Sequence, residues 1–248
     1  MTHQAPPEHF KGKNVAEHLR DARKKGAVAT AEVHGTELPG HFSAAADSAK
    51  ETALAFLILW AIGTTLGYPL LIPFIAFGFG WFLWKTGRSA LLGWGRLERL
   101  HRVIEEERWE IEHHRDQEKQ ELREMYEAKG FSGKLLDEVV DVLMADDNRL
   151  LRVMLEEELG LSLEVYEHPL KQALGAALGV LITATAALCA YYFWPYFGIP
   201  LICLLVVIIA SKMTAKYEKR RLLNSVIWNF ALTLFVTASV YFLGKLIG

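Results

Sequence analysis

Three long stretches of this chain contain no charged side chain. Residues 52–84, 172–211 and 222–244 lack Asp, Glu, Lys and Arg altogether. A helix needs about 20 apolar residues to cross the roughly 30 Å hydrocarbon core of a bilayer, and a charged side chain near the midplane is costly. A buried helix of a soluble protein accounts for about 10–14 apolar residues and not for stretches of this length. The pattern therefore predicts an all-α integral membrane protein.

Prolines and glycines divide two of these stretches. Gly67 and Pro69 interrupt the first, and Pro195 and Gly198 interrupt the second, so each stretch predicts a hairpin of two membrane helices. The third stretch adds one more helix. The sequence thus predicts five membrane helices, at about residues 46–67, 70–94, 171–193, 197–215 and 222–245.

The basic residues predict the orientation of these helices. The polar N-terminal arm, residues 1–43, carries six of them: Lys11, Lys13, Arg20, Arg23, Lys24 and Lys25. Five more lie in "SKMTAKYEKRR", between the fourth and fifth predicted spans, and the two hairpin turns have none. By the positive-inside rule the N-terminus is expected in the cytosol and the C-terminus outside. The host membrane is the cytoplasmic membrane if the chain is bacterial, and a vacuolar or other organellar membrane if it is eukaryotic.

A soluble domain is predicted between the two groups of membrane helices. Residues 44–95 hold the first two predicted spans, residues 169–248 hold the last three, and residues 96–168 lie between them. Gly130 and Gly160 are typical of positions just past a helix end, and Asp147 is a candidate N-cap. These signals divide the central segment into three cytosolic helices, the first of them long and continuous.

The first of these helices is unusually acidic. Its segment "VIEEERWEIEHHRDQEKQELREMYEAKG", residues 103–130, contains nine glutamates. At 100° per residue of a continuous helix, four of them fall within an arc of about 80°: Glu107, Glu110, Glu118 and Glu121. Stacked carboxylates suit a divalent cation. An ordinary solvated helix face is the alternative, because the helix also carries basic residues: Arg108, Arg115, Lys119 and Arg123.

Other candidate chemistry is weaker. The segment "AEVHGTELPGHF", residues 31–42, has two histidines and two glutamates without a recognisable ligand geometry, and an interfacial loop is the preferred interpretation. Cys189 and Cys203 lie in predicted spans and are expected to be buried small apolar side chains. No nucleophile–base pair or phosphate-binding loop indicates an enzyme, and no basic surface indicates nucleic-acid binding.

Three segments carry a resemblance to a known family. "EEERWEIEHHRDQEKQELREMYEAKG", "VMLEEELGL" and "HPLKQALGAALGVLI" resemble the vacuolar iron transporter (VIT) family over about residues 96–190. The resemblance implies five membrane helices, a homodimer, and a cytosolic three-helix metal-binding domain. It also implies export of Fe²⁺, and often Mn²⁺, from the cytosol in exchange for protons, with the metal as bound substrate and no organic cofactor. The implied metal ligands are Glu107, Glu110, Glu118, Glu121, Met154 and Glu158.

The chain also departs from that family. The Asn-Asp-Gly-like motif of the first span is absent, and the nearest acids, Asp47 and Glu51, are candidate pathway residues. Where the family has a methionine and a Gly-Glu pair at the end of its second span, "SALLGWGRLER" has a leucine and Trp94. Lys85 and Arg88 bring positive charge to this region, and basic side chains disfavour a cation path. Two alternatives to transport therefore stay open. One is a metal-binding membrane protein that senses, stores or scaffolds, and the other is a structural membrane protein that binds a basic partner.

Overall fold

The computed structural model describes residues 17–21, 40–161, 168–218 and 220–247, and this part of the chain is helical without a β-strand. The predicted all-α class is confirmed. Residues 17–21 form a short helical segment. Eight helices follow: α1 (Gly40–Leu66), α2 (Leu71–His113), α3 (Arg115–Ala128), α4 (Gly133–Met144), α5 (Asp147–Val153), α6 (Pro169–Phe193), α7 (Gly198–Tyr217) and α8 (Leu222–Ile247). A π-helical turn, Met154–Glu158, continues α5.

The chain divides into two compact units. The described residues of the first unit are 17–21 and 95–161, and those of the second are 40–94, 168–218 and 220–247. The second unit holds α1 and α6 to α8, and α2 contributes residues to both units. Most of the N-terminal arm, including most of the "AEVHGTELPGHF" segment, lies outside the described residues.

Four helices are long and apolar enough to cross a membrane: α1, α6, α7 and α8. Their bounds agree with four of the predicted spans, except that α1 begins earlier, at Gly40. The predicted span 70–94 lies within α2, which continues without interruption to His113 instead of ending near residue 94.

The surface of the second unit is apolar. Large side chains are exposed on every one of its helices, among them Ile72, Tyr192, Phe193, Leu223, Phe235 and Leu246. Its interior is built around Phe56 and Phe74, with small residues such as Ala53 and Ala187. Soluble proteins rarely expose an apolar surface of this extent, so the unit is suited to contact with lipid.

Two glycines allow α6 to lie directly against α1. A Cβ atom placed on Gly175 would be 2.0 Å from the carbonyl oxygen of His41, and one on Gly179 would be 2.2 Å from that of Ala45. Both distances are far below van der Waals contact. The small-residue stretch "GAALG", residues 175–179, therefore allows two helices of the same chain to pack closely, as small residues commonly do in membranes.

In the first unit an apolar core joins the helices. Its buried side chains come from α2 to α5, the π-helical turn and the residues just after that turn: Leu100, Ile111, Leu122, Met125, Leu136, Val140, Leu150, Leu151, Met154, Leu155, Leu159 and Leu161. Gly130 (φ 97°) follows α3 and Gly160 (φ 66°) follows the π-helical turn, as the sequence predicts.

Two local predictions are wrong. The N-cap of α5 is Asp146 and not Asp147, because the Arg149 backbone N–H donates to Asp146 Oδ1 at 2.8 Å. The long first helix is interrupted at His114, whose φ of −129° and ψ of 36° are not helical. No proline or glycine lies there, so the sequence has no breaker that would indicate the interruption.

The glycine contacts predict that alanine destabilises the protein at Gly175 and Gly179 but not at a glycine without close neighbours. Gly175→Ala and Gly179→Ala should each destabilise the protein by about 1–3 kcal/mol, since the added methyl group pushes α6 from α1. Gly80→Ala is the matched control, because nothing lies within 4 Å of its Cβ position and alanine favours a helix. Thermal unfolding in detergent would measure both effects, and equal midpoints for all three variants would contradict the packing described here.

Candidate metal centre

Four buried glutamates converge in the first unit. Glu107 comes from α2, Glu118 and Glu121 come from α3, and Glu158 ends the π-helical turn. One carboxylate oxygen each from Glu107, Glu118 and Glu158 lie within 4.8 Å of one another. A second group with the same spacing consists of His18, Glu121 and Glu158. Glu158 belongs to both groups, so the two together make one continuous cluster, called the glutamate cluster below.

The π-helical turn places Glu158 in this cluster. The backbone N–H of Leu159 donates to the Met154 carbonyl, five residues back, at 3.2 Å. Met154, Leu155 and Glu158 are buried, whereas Glu156 is exposed. Turns of this kind occur frequently at functional sites. Here the turn adds a fourth acidic side chain to the three buried glutamates of α2 and α3.

The interruption at His114 does not disperse the glutamates. His114 donates its backbone N–H to the Glu110 carbonyl at 2.7 Å and accepts at its own carbonyl from the Glu118 N–H at 3.1 Å. Trp109 contacts the His114 ring edge-on, with 5.4 Å between the ring centroids. The chain thus passes from α2 to α3 with bonded backbone on both sides of the break. The four glutamates still face one site, although the helix between them is not continuous as predicted.

Electrostatics in the cluster favour bound protons or a cation. Burial raises the pKa of Glu118 from 4.5 to about 11, and four neighbouring carboxylates add to this shift: Glu107, Glu121, Glu158 and Glu110. Burial likewise raises the pKa of Glu121 from 4.5 to about 8, with further contributions from Glu110 and Glu124. Charging several carboxylates in a poorly solvated space is unfavourable. A divalent cation reverses this preference by attracting the ionised forms.

The other two predicted ligands, Glu110 and Met154, lie in the same unit but are not part of the two groups described above. Glu110 is half-buried, and its charge raises the pKa of both Glu118 and Glu121, which places it near them. It does not belong to either close group of possible ligand atoms among the described residues. Met154 is fully buried in the apolar core at the start of the π-helical turn. All six predicted residues are therefore in the first unit, and four of them form the cluster.

The basic residues of α3 form ion pairs with aspartates outside the glutamate cluster. Arg115, Lys119 and Arg123 are spaced four apart along one side of α3. Each forms an ion pair with an aspartate of α4 or α5; in the same order, the partners are Asp147, Asp141 and Asp137. All three pairs are exposed, so each contributes little to stability. One side of α3 is therefore exposed and carries the ion-paired basic residues, and another side is buried and carries the glutamates. A helix whose charged face is simply solvated would not bury its glutamates.

His18 is a member of the cluster that the sequence did not reveal. Its Nε2 atom lies 3.6 Å from Glu121 Oε1 and 3.7 Å from Glu158 Oε1. More than a hundred residues separate His18 from either glutamate along the chain, and the helical spacing that revealed the glutamates carries no information over such a distance.

Asp47 and Glu51, the candidate pathway acids, lie on α1 in the second unit and are each beside a lysine. Lys50 Nζ is 2.8 Å from Asp47 Oδ1, and the nearly buried Lys85 forms an ion pair with Glu51. Asp47 also lines a small pocket together with Ser48, Lys85, Arg88, Ser89, Leu92, Gln172 and Ala44. The pocket thus contains more basic than acidic side chains. Of the two cysteines, Cys203 is buried as expected, Cys189 is exposed on α6, and both are free.

The comparison with protein families agrees with the resemblance seen in the sequence. A model of the VIT family matches residues 96–245, which is more than half of the chain. The match includes the glutamate cluster apart from His18, together with α6, α7 and nearly all of α8. A search among curated proteins finds no match.

The raised pKa values predict how stability depends on pH in metal-free protein. Glu118 and Glu121 keep their protons in the folded state, whereas in the unfolded chain they lose them near pH 4.5. Stability should therefore fall as the pH rises above about 4.5, with both groups contributing up to about pH 8 and Glu118 alone up to about pH 11. Glu118→Gln should reduce this fall, because the amide cannot ionise. Chemical denaturation followed by circular dichroism would measure it.

The control for this measurement is Glu105→Gln, at an exposed position of α2 in the same unit. This variant should keep the pH dependence of the unaltered protein. If Glu118→Gln and Glu105→Gln show the same dependence as the unaltered chain, Glu118 does not have the environment described here.

Proposed function

We propose that this chain, which belongs to the VIT family, is a membrane transporter that exports divalent metal cations, Fe²⁺ and also Mn²⁺, from the cytosol. The observation that carries the proposal is the glutamate cluster. Oxygen ligands from several carboxylates suit hard divalent cations, and nearby imidazole or thioether groups favour transition metals. The six residues Glu107, Glu110, Glu118, Glu121, Met154 and Glu158 are proposed to capture the ion on the cytosolic side.

Proton exchange follows from the same carboxylates. Because burial raises the pKa of Glu121 to about 8 and that of Glu118 to about 11, both groups carry protons at neutral pH when no metal is present. An incoming cation has to displace those protons. Metal and protons thus compete for one set of oxygens, which is the property that a metal–proton exchanger requires at its binding site.

The proposal includes a fifth membrane helix formed by the N-terminal part of α2. Several large apolar side chains are exposed between Leu71 and Trp94, including Ile72, Ile75, Phe79, Leu83 and Trp84. Such a surface is suited to lipid. With five spans, the N-terminus and the first unit lie in the cytosol and the C-terminus lies outside. The homodimer implied by the resemblance is also part of this proposal, with an interface outside "GAALG", since that stretch already packs against α1.

A second candidate function is metal binding without transport, as in a sensor, store or scaffold. The observation that favours it is the basic character of the pocket beside Asp47. Lys85 is 7% exposed and paired with Glu51, and Arg88 lines the same pocket as Lys85. A buried ammonium group in a cation path repels the ion that has to pass. On this hypothesis the glutamate cluster binds metal, and no ion crosses the membrane.

Uptake by reconstituted vesicles separates the two candidates. The unaltered protein should move Fe²⁺ and Mn²⁺ across the vesicle membrane, and faster when a pH gradient drives protons in the opposite direction. A Glu118→Gln/Glu158→Gln double variant should lower the rate by about tenfold or more, since two of the buried ligands are lost. Glu105→Gln is the control and should transport normally. Stoichiometric metal binding without flux of either ion, with or without the gradient, would contradict transport and favour the second candidate.

The orientation is tested by labelling single cysteines with a membrane-impermeant maleimide in intact cells. In a chain with Cys189 and Cys203 replaced by serine, a cysteine at Tyr68 or Tyr196 should be labelled from outside, because both positions are exposed in the turns that end α1 and α6. A cysteine at Asp141, exposed on α4, should react only after permeabilisation. If Tyr68→Cys and Asp141→Cys react from the same side, α2 does not cross the membrane.

A further inference from the structure

Within the first unit, the short N-terminal helical segment, residues 17–21, lies beside the glutamate cluster. Leu19 is partly buried and packs against the apolar core formed by residues such as Leu122, Leu155 and Leu159. His18, its neighbour in the chain, has a side chain that is only 15% exposed and lies beside Glu121 and Glu158. The apolar contact of Leu19 therefore holds the imidazole at the cluster.

The distances fit a shared metal ion. Ligand atoms that each lie about 2.1 Å from one ion are roughly 3.0–3.4 Å apart in octahedral or tetrahedral geometry. His18 Nε2 is 3.6 Å from Glu121 Oε1 and 3.7 Å from Glu158 Oε1, and all three ligand atoms lie within 4.8 Å of one another. His18 Nε2 is thus only a few tenths of an ångström farther from each carboxylate oxygen than two ligands of one ion would be.

We propose that His18 Nε2 is a ligand of the metal ion that Glu121 and Glu158 hold, and that it gives the site its preference for transition metals. The proposal rests on the metal-binding part of the proposed function and adds a nitrogen donor from the N-terminal arm. Carboxylates alone also bind Mg²⁺, which prefers oxygen, whereas imidazole suits Fe²⁺, Co²⁺ and Zn²⁺. A histidine in the set lowers the relative affinity for Mg²⁺. It also makes the arm part of the site.

The competing explanation is purely electrostatic. A protonated His18 would form an ion pair with each of the two carboxylates and would need no metal. An imidazole acting in that way would have both nitrogens occupied by protons, and neither could coordinate an ion. The two explanations thus predict different nitrogen environments in the metal-loaded protein.

Electron spin-echo spectroscopy of full-length protein loaded with Mn²⁺ distinguishes them. The unaltered protein should show coupling of the manganese electrons to an imidazole nitrogen. His18→Ala should lose this coupling while still binding Mn²⁺ through its glutamates, with about tenfold lower affinity. His101→Ala is the matched control, since His101 is exposed on α2 in the same unit. It should keep both the coupling and the affinity.

A competition experiment tests the consequence for selectivity. The probe is Co²⁺, whose absorption reports its ligands, displaced by increasing Mg²⁺. His18→Asp keeps a ligand at this position but exchanges nitrogen for oxygen, so Mg²⁺ should displace Co²⁺ at about tenfold lower concentration than in the unaltered protein or His101→Ala. Unchanged displacement by Mg²⁺ in His18→Asp would contradict the selectivity claim.

The outcomes separate this inference from the proposed function. Bound Mn²⁺ without nitrogen coupling, or coupling that persists in His18→Ala, would overturn the role of His18 and leave the glutamate site intact. A full-length protein that binds no Mn²⁺ would overturn both. Vesicle uptake is measured independently, so absence of transport with normal nitrogen coupling would leave the His18 proposal standing.

Discussion

The burial of several carboxylates in one small space is the constraint on which the first unit depends. Glu107, Glu118, Glu121 and Glu158 are each at most 4% exposed, although charged groups are rarely buried without compensation. Burial of this kind opposes folding unless protons or a cation neutralise the charge. The apolar core around the cluster stabilises the fold and so offsets the cost of burying these carboxylates. The π-helical turn adds one more buried acid, Glu158, at a position where an apolar residue would make the unit more stable. A cost of this kind is typical of a binding site and uncommon in a purely structural core.

The two units handle charge in different ways. In the first unit, the bases of α3 pair with aspartates on an exposed side, and the glutamates face inward. In the second unit, acids and bases occupy the same region, and Lys85 lies with Glu51 among apolar helices. The first arrangement attracts a cation. The second contains its own cation, so an ion that crosses there has to compete with Lys85 for the acidic side chains.

Much of this architecture could be predicted because it depends on local sequence patterns and little on contacts between residues distant in the chain. Charge-free stretches predicted α1, α6, α7 and α8, and glycines predicted the ends of α3 and of the π-helical turn. Helical spacing indicated that Glu107, Glu118 and Glu121 share a face, and the resemblance added Met154 and Glu158. The interruption at His114 escaped prediction because no residue there prevents a helix. The π-helical turn could not be predicted because the sequence of residues 154–158 is equally typical of an ordinary α-helix. His18 was missed because its role depends on Leu19 docking onto a core built from residues more than eighty positions away.

The buried glutamates are proposed to hold one divalent cation in common. Anomalous X-ray diffraction from crystals of the full-length protein grown with Mn²⁺ would show whether they do. The account predicts an anomalous peak within about 2.5 Å of carboxylate oxygens from Glu121 and Glu158 or from Glu107, Glu118 and Glu158. Crystals in which Mn²⁺ appears only at other positions, with these four carboxyl groups in place and no peak among them, would contradict it.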